Sequence, residues 1–142
     1  MQVKDIMTPN ATMIQAGASL EEAARLMRNA NIGFIPVVDG KHLAGVVTDR
    51  DIVVRAVADH METRDRLVSE IMTAQPVCCQ AGDRVTEVVR IMEKHRVRRL
   101  PVVDDDKAVI GVVALGDIAR RMSHAVSGEV LSAVSGHGDL VA

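Results

Sequence analysis

The chain has 142 residues, is 48% hydrophobic with one Phe and neither Trp nor Tyr, and carries a net charge of −2 at pH 7. This length is enough to bury one domain's core. The near absence of aromatic residues argues against base stacking with nucleic acids, and the slightly negative net charge argues against electrostatic binding to nucleic acids or anionic membranes. No apolar run approaches the length of a transmembrane span and the first residues lack signal-peptide architecture, so a soluble, cytoplasmic protein is expected.

The first part of the chain predicts a helical turn followed by an amphipathic helix. Residues 3–7 are expected to form the turn, and Pro9 ends it. Ser19 and Glu22 have the spacing of a capping box for a helix that reaches about Asn29. Its buried face is predicted from residues three and four positions apart, namely Leu20, Ala23, Ala24 and Met27.

Two strands and a second helix are predicted next. The apolar runs at 32–38 and 43–47 flank Asp39-Gly40, which is typical of a β-hairpin. The second helix is predicted from about Arg50 towards Asp59.

The second part of the chain predicts the same plan, after a polar connector at 59–67. In order, the predicted elements are a turn at 68–72, an extended segment at 77–79, a helix capped by Asp83, strands at 97–103 and 109–113, and a helix from near Asp117. The buried face of the capped helix is predicted to consist of Val85, Val88, Val89 and Met92.

An internal repeat accounts for this recurrence. Residues 6–39 align with 71–104 at a constant offset with 13 identities in 34 positions. One extra residue in the charged turn at 104–107 then shifts the offset, after which 45–52 matches 111–118 at Gly, Val, Val, Asp and Ile. The sequence therefore indicates an internal duplication.

Each copy of this last stretch joins an apolar strand to the start of a helix. In the first copy Thr48 and Asp51 supply a hydroxyl and a carboxylate where the helix begins. A helix N-terminus with such groups suits the phosphate and ribose of a nucleotide. An ordinary helix cap, with Asp51 as no more than the capping residue, is the alternative.

These residues resemble the repeats of the cystathionine-β-synthase-type (CBS) domain family. The marks of the resemblance are Ile6-Met7-Thr8, Pro36-Val37-Val38-Asp39 and residues 45–51 in the first copy, and Ile71-Met72-Thr73, Pro101-Val102-Val103-Asp104 and residues 111–117 in the second. The resemblance covers almost the whole chain and implies an α/β fold, with two pseudo-twofold-related β-α-β-β-α repeats packed through their sheets. It divides the chain into repeat one at 1–62, repeat two at 63–125 and a helical tail at 126–142. This is the tandem arrangement called a Bateman module.

Family members often bind adenosine-containing ligands in the cleft between the repeats, so the resemblance implies two potential sites. In the first site Asp51 would accept from ribose hydroxyls, Thr48 would bond sugar or phosphate, and arginines would donate to phosphate. This site would comprise Thr48, Arg50, Asp51, Thr73, Pro76, Val77, Arg98, Arg99 and Pro101. Alternatively, Arg96, Arg98 and Arg99 form a solvated edge or pair with Asp104–Asp106, and Arg50 points to solvent.

The second site would be weaker. It would comprise Thr8, Ala11, Phe34, Pro36 and Asp117, together with Gly33 and Ile35 of the same strand region. Ala114 stands in place of the threonine hydroxyl, and no arginines match Arg98 and Arg99. The loss of two or three charged hydrogen bonds predicts a site that is empty or holds an uncharged group.

Cys78 and Cys79 are adjacent in an extended segment, so one is predicted to be buried and the other partly exposed. Structural cysteines are favoured over a metal site, because the five His form no recognisable pattern with them. A metal or redox role is the alternative.

A homodimer is the predicted assembly. The second helix is apolar nearly all round, and a small core covers only one face of such a helix. Its apolar residues are Ile52, Val53, Val54, Ala56, Val57 and Ala58, and those of the matching helix in repeat two are Ile118, Ala119, Met122, Ala125 and Val126. Family members that the chain resembles pair through these helices.

Three functions remain open. The first is a regulatory module that binds AMP, ADP, ATP or a related adenosine nucleotide as a regulatory ligand, needs no cofactor and signals to an unknown protein partner. The second is a stress-associated homodimeric interaction protein whose nucleotide cleft is vestigial. The third is metal or redox sensing through the two cysteines. The sequence has no phosphate-binding loop of the P-loop type and no nucleophile with an evident base, so no enzyme is predicted.

Overall fold

A computed structural model describes residues 1–122 of the chain, so the predicted tail at 126–142 lies outside the described residues. The chain divides into two compact units. Unit 1 comprises Met1–Ala11, Val77–Asp105 and the described residues from Ile110 onwards, and unit 2 comprises Thr12–Pro76 and Asp106–Val109.

The described elements follow one another in the predicted order. They are a 3₁₀ turn at Val3–Asp5, β1 (Thr8–Pro9), β2 (Ile14–Gln15), α1 (Leu20–Ala30), β3 (Phe34–Asp39), β4 (His42–Thr48), α2 (Asp49–Asp51) continued by a π-helix at Ile52–Val57, a 3₁₀ turn at Val68–Glu70, β5 (Thr73–Ala74), β6 (Cys79–Gln80), α3 (Val85–His95), β7 (Arg99–Val103), β8 (Val109–Ala114) and α4 (Leu115–Arg121).

Helix α1 begins as the sequence predicts. The Ser19 hydroxyl accepts a hydrogen bond from the Glu22 backbone N–H at 3.1 Å, and the helix ends at Asn31 in the left-handed conformation. Leu20, Ala23 and Met27 are buried. Ala24 is exposed, which corrects its predicted place on the buried face.

The sheet of unit 2 has the strand order β2-β3-β4-β5. Strands β3 and β4 form the predicted antiparallel hairpin, whose turn contains Gly40 at φ 66°. Strand β2 pairs with β3 in parallel. The Gln15 side chain accepts from the Gly40 N–H and donates to its carbonyl, which fixes the turn beside β2.

Each sheet takes its fourth strand from the other sequence repeat. Strand β5, from the second repeat, pairs antiparallel with β4, and β1, from the first repeat, pairs antiparallel with β8. The sheet of unit 1 has the order β1-β8-β7-β6. The compact units therefore do not coincide with the sequence repeats, because each repeat donates its first strand.

Helix α3 confirms its predicted buried face but not its predicted cap. Its four predicted core residues are all buried. The N-cap is Arg84, without a side-chain hydrogen bond, whereas the Asp83 carboxylate accepts from the Gln80 N–H at 2.8 Å. The prediction of Asp83 as the cap is wrong because this carboxylate closes the turn between β6 and α3.

The two apolar helices differ in what they expose. In the π-helix Ile52 and Ala56 are buried, whereas Val53, Val54 and Val57 are 58%, 50% and 58% exposed. In α4 Ile118 is fully buried in the core of unit 1. Its prediction as part of an exposed apolar surface is therefore wrong, and Ala125 and Val126 lie outside the described residues.

None of the helices within residues 1–122 combines the length and apolar character that crossing a membrane requires.

The two cysteines divide as predicted. Cys79 is 4% exposed and its thiol lies 3.8 Å from the Pro101 carbonyl oxygen, whereas Cys78 is half-buried. Burial raises the pKa of the Cys79 thiol from its ordinary value of 9.0 to about 12, and the nearby Asp83 and Cys78 add to the rise. Cys79 therefore stays a protonated thiol at neutral pH.

We expect iodoacetamide at pH 8 to alkylate Cys78 in the native chain while Cys79 reacts only after unfolding, because the thiolate is the nucleophile. Peptide mass spectrometry reads both positions. Equal alkylation of both residues in the native chain would contradict the assignment of Cys79 to the core.

The raised pKa of Cys79 also predicts how stability depends on pH. Between pH 9.0 and about 12 the unfolded chain ionises Cys79 and the folded chain does not. The free energy of unfolding is therefore expected to fall as the pH rises through this window.

Candidate functional site

The corner between β4 and α2 joins the two residues that the sequence singled out. The Thr48 Oγ1 accepts from the Asp51 N–H at 3.1 Å, and the Asp51 Oδ2 accepts from the Thr48 N–H at 3.0 Å. This reciprocal pair is a complete capping box. Thr48 and Asp51 therefore do cap the helix, as the alternative interpretation predicts.

The capping box leaves defined groups for a ligand. The Thr48 hydroxyl uses its oxygen as the acceptor, so its own hydrogen is still a possible donor. The Asp51 carboxylate uses Oδ2, so lone pairs on Oδ1 are still possible acceptors. Both residues are partly buried. A cap and a ligand contact are therefore compatible at this corner.

Asp49 and Gly33 also shape this corner. Asp49 was not predicted as a site residue, and Gly33 was predicted only as part of the second site. The Asp49 N–H donates to the Gly33 carbonyl at 3.1 Å. The Asp49 carboxylate accepts from the Arg50 N–H at 2.8 Å and lies so close to Gly33 that a Cβ there would be 2.6 Å from Oδ2. The available signal was Gly33 itself, because Gly in a strand region marks a close approach.

Strand β5 brings Thr73 to the same unit. Thr73 pairs with Val46 of β4. The Arg55 guanidinium donates to the Ile71 carbonyl at 2.9 Å and to the Thr73 hydroxyl at 3.4 Å. Its Nε lies 3.7 Å from Asp51 Oδ1. Arg55 was not predicted as a site residue, because contacts between a helix and a donated strand leave no local pattern.

The matching corner in unit 1 is built differently. Ala114 occupies the N-cap of α4 without a side-chain hydrogen bond. Asp117 pairs with Arg120 three residues further on. The Leu115 N–H donates to the Arg98 carbonyl at 2.8 Å, which repeats the backbone contact between Asp49 and Gly33, but the Leu115 side chain is buried. The two corners therefore differ in their side-chain contacts, and their difference as ligand sites stays a prediction.

The predicted site residues fall into both units. Of the first set, unit 2 contains Thr48, Arg50, Asp51, Thr73 and Pro76, and unit 1 contains Val77, Arg98, Arg99 and Pro101. Of the second set, unit 1 contains Thr8, Ala11 and Asp117, and unit 2 contains Phe34 and Pro36. Pro36 and Pro101 are buried within their strands, whereas Arg50, Arg99, Thr8 and Thr73 are exposed.

Across residues 1–122, no three His, Cys, Asp or Glu side chains are grouped so that they could hold a metal ion. Within that range, the metal hypothesis for Cys78 and Cys79 has no ligand cluster on which to rest.

Known proteins share both the sequence and the fold. The family model described as CBS domain matches the chain twice, over residues 3–58 and 68–124. The CBS domain-containing protein YhcV of Bacillus subtilis (strain 168) is 37% identical over 134 residues, which cover 94% of this chain and 94% of that protein.

Two solved structures are also similar. Hypoxic Response Protein I, solved with two coordinated zinc ions, has a TM-score of 0.80 and 31% identity, and the match covers 87% of this chain and 100% of that one. The CBS domain pair of protein MJ0100, solved in complex with 5′-methylthioadenosine and S-adenosyl-L-methionine, has a TM-score of 0.76 and 33% identity, with 84% and 98% covered. The predicted α/β fold of two tandem repeats is therefore confirmed, and the chain belongs to the CBS domain family.

Proposed function

We propose that the chain is a regulatory module, and not an enzyme, which binds an adenosine-containing nucleotide such as AMP, ADP or ATP at the corner formed by Thr48, Asp51 and Thr73. Binding would change the conformation of the module and thereby signal to a protein partner. The observation that carries the proposal is the capping box of Thr48 and Asp51, which leaves a hydroxyl donor and a carboxylate acceptor next to the Thr73 strand.

The chemistry of the corner supports an adenosine ligand. A carboxylate is an acceptor for the two ribose hydroxyls, and the N-terminal end of a helix favours a nearby anion. The MJ0100 pair was solved with two ligands that share the adenosine group and carry no phosphate. The shared adenosine group favours contacts of Asp51 and Thr48 with the ribose. The assignment of Arg98 and Arg99 to phosphate stays a prediction.

Asp51→Asn is expected to weaken binding of AMP by about 10- to 100-fold, since a hydrogen bond to a charged group contributes roughly 1.5–3 kcal/mol. The amide oxygen of Asn still accepts from the Thr48 N–H, so the cap is largely kept. Isothermal titration calorimetry measures the affinity, and thermal unfolding with AMP, ATP and 5′-methylthioadenosine identifies the preferred ligand.

Asp117→Asn is the matched control, because it makes the same chemical change at the repeat-two corner, where Asp117 pairs with Arg120. It is expected to change the affinity little. If no adenosine compound stabilises the wild-type chain, the proposed function is wrong and the stress-associated interaction protein is favoured. If both variants lose affinity equally, the two corners are equivalent as ligand sites.

The assembly that we propose is a homodimer through the π-helix. The side chains of Val53, Val54 and Val57 are each at least half exposed on six residues of helix. Burying them against the same surface of a second copy would remove this apolar area from water, and two-fold pairing is the commonest closed symmetry. The partner that receives the signal is a separate protein.

A further inference from the structure

We propose that Arg55 is a positioning residue of the nucleotide site, which holds the Asp51 carboxylate and the Thr73 strand in the geometry that the ligand requires. This inference rests on the proposed function and adds a residue that neither the repeat motif nor its chemistry identifies. All the contacts that support it lie within unit 2.

Arg55 contacts two candidate ligand residues that come from different sequence repeats. Its Nη1 donates to the Thr73 hydroxyl at 3.4 Å and to the Ile71 carbonyl at 2.9 Å, and its Nε lies 3.7 Å from Asp51 Oδ1. The bond to Ile71 fixes the guanidinium next to the chain that leads into β5. The Arg55 side chain thereby links the π-helix of repeat one to the strand that repeat two donates.

The distance between Arg55 and Asp51 leaves the Asp51 carboxylate available to a ligand. At 3.7 Å the pair is an ion pair but not a short hydrogen bond, so Oδ1 keeps lone pairs for a ribose hydroxyl. The Asp51 Oδ2 is held by the Thr48 N–H. The carboxylate is thus fixed from both sides while one oxygen stays available. The guanidinium has five N–H donors and can therefore bind more than one partner at a time.

The helix geometry explains why residue 55 takes this position. The helix continues from Asp51 as a π-helix at Ile52–Val57. Residues four positions apart lie on the same side of a helix, so the side chains of Asp51 and Arg55 are neighbours. In α4 of unit 1, Arg121 lies four positions after Asp117, but Asp117 pairs with Arg120, three positions on. The contact between Asp51 and Arg55 therefore belongs to the unit whose corner has the complete capping box.

Arg55→Ala is expected to lower the affinity for AMP and for 5′-methylthioadenosine by the same factor, about 10-fold, because a misplaced Asp51 no longer meets the ribose that both compounds carry. Calorimetric titration measures both affinities. A loss confined to AMP would instead show that Arg55 contacts phosphate and would overturn the positioning role. Arg25→Ala is the matched control, since Arg25 also forms an ion pair four residues apart in unit 2, with Glu21.

A double-mutant cycle separates positioning from a merely structural role. If Arg55 acts through Asp51, adding Arg55→Ala to Asp51→Asn should cost little further affinity. Losses that add fully would overturn the proposal, and so would a variant that melts at a lower temperature but binds both probes normally. Arg55→Lys keeps the charge without the planar fork and is expected to restore only part of the affinity.

Hydrogen exchange in the absence of ligand provides a test that does not depend on binding. Arg55→Ala should speed the exchange of the amides at 73–75, whereas Arg25→Ala should not. Unchanged exchange would overturn the claim that Arg55 holds this strand. A wild-type chain that binds neither probe would overturn the proposed function together with the ligand role of Arg55, whereas normal wild-type binding and an unaffected Arg55→Ala variant would overturn the inference alone.

Discussion

Replacing Gly45 by Ala is expected to lower the free energy of unfolding by about 1–3 kcal/mol, the usual cost of forcing an extra carbon into a packed site. A Cβ at Gly45 would lie 2.7 Å from the Thr73 carbonyl oxygen and 2.6 Å from the Met72 sulfur. The sulfur belongs to a flexible side chain and can move. The carbonyl belongs to the paired backbone of β5, so strand β5 itself would have to separate from β4.

Gly111→Ala is expected to have a similar effect in unit 1, where the Cβ would lie 2.6 Å from the Thr8 carbonyl oxygen on β1. Gly17→Ala is the control, because no heavy atom lies within 4 Å of its added carbon. Urea denaturation measures all three. Variants at 45 and 111 that are as stable as the Gly17 variant would contradict the close packing of β5 and β1 against these glycines.

These two glycines show where sequence reasoning about the fold reaches its limit. The repeat identified both as motif positions, but it did not indicate that a strand of the other repeat lies against each one. Strands β1 and β5 have two residues each, too short for an alternating pattern of burial. Which sheet a short strand joins is decided by non-local packing, and local patterns carry no signal of it.

Longer elements were predictable because their residues repeat a buried face. The α3 stripe and the β3-β4 hairpin were confirmed, since 3.6-residue spacing and a Gly-containing turn are local signals. Asp83 was assigned wrongly for a local reason as well. A carboxylate next to a helix can cap that helix or close the preceding turn, and the sequence does not distinguish these two uses.

Only the local part of the candidate site was predictable from the sequence. The spacing of Thr48 and Asp51 predicts a cap, and the structure contains it. Asp51 and Arg55 have the local spacing of an ordinary helix ion pair. The place of Arg55 at this corner was not predictable, because its contacts with Ile71 and Thr73 depend on the exchanged strand. The positions that organise the corner are thus those that depend on distant parts of the chain. The contacts between these residues and a ligand stay predictions.

Val57→Asp is expected to convert the proposed homodimer into a monomer, with a change in scattering mass from twice the 15.3 kDa chain to the single chain. Val57 is 58% exposed, and Val53 and Val54 are exposed on the same short helix. In a two-fold interface the substitution would bring a carboxylate from each copy into an apolar contact, and burying unpaired charge is strongly unfavourable. Multi-angle light scattering at micromolar concentration measures the mass.

Ala24→Asp is the matched control, since it places the same charge at an exposed position of helix α1 and is expected to leave the mass unchanged. Thermal unfolding of the Val57 variant checks that its core is intact, which is expected because the core side of the helix is formed by Ile52 and Ala56. A wild-type chain that scatters as a monomer would contradict the homodimer itself. A Val57→Asp variant that remains a dimer, with the control unchanged, would place the interface on a different surface from the exposed valines.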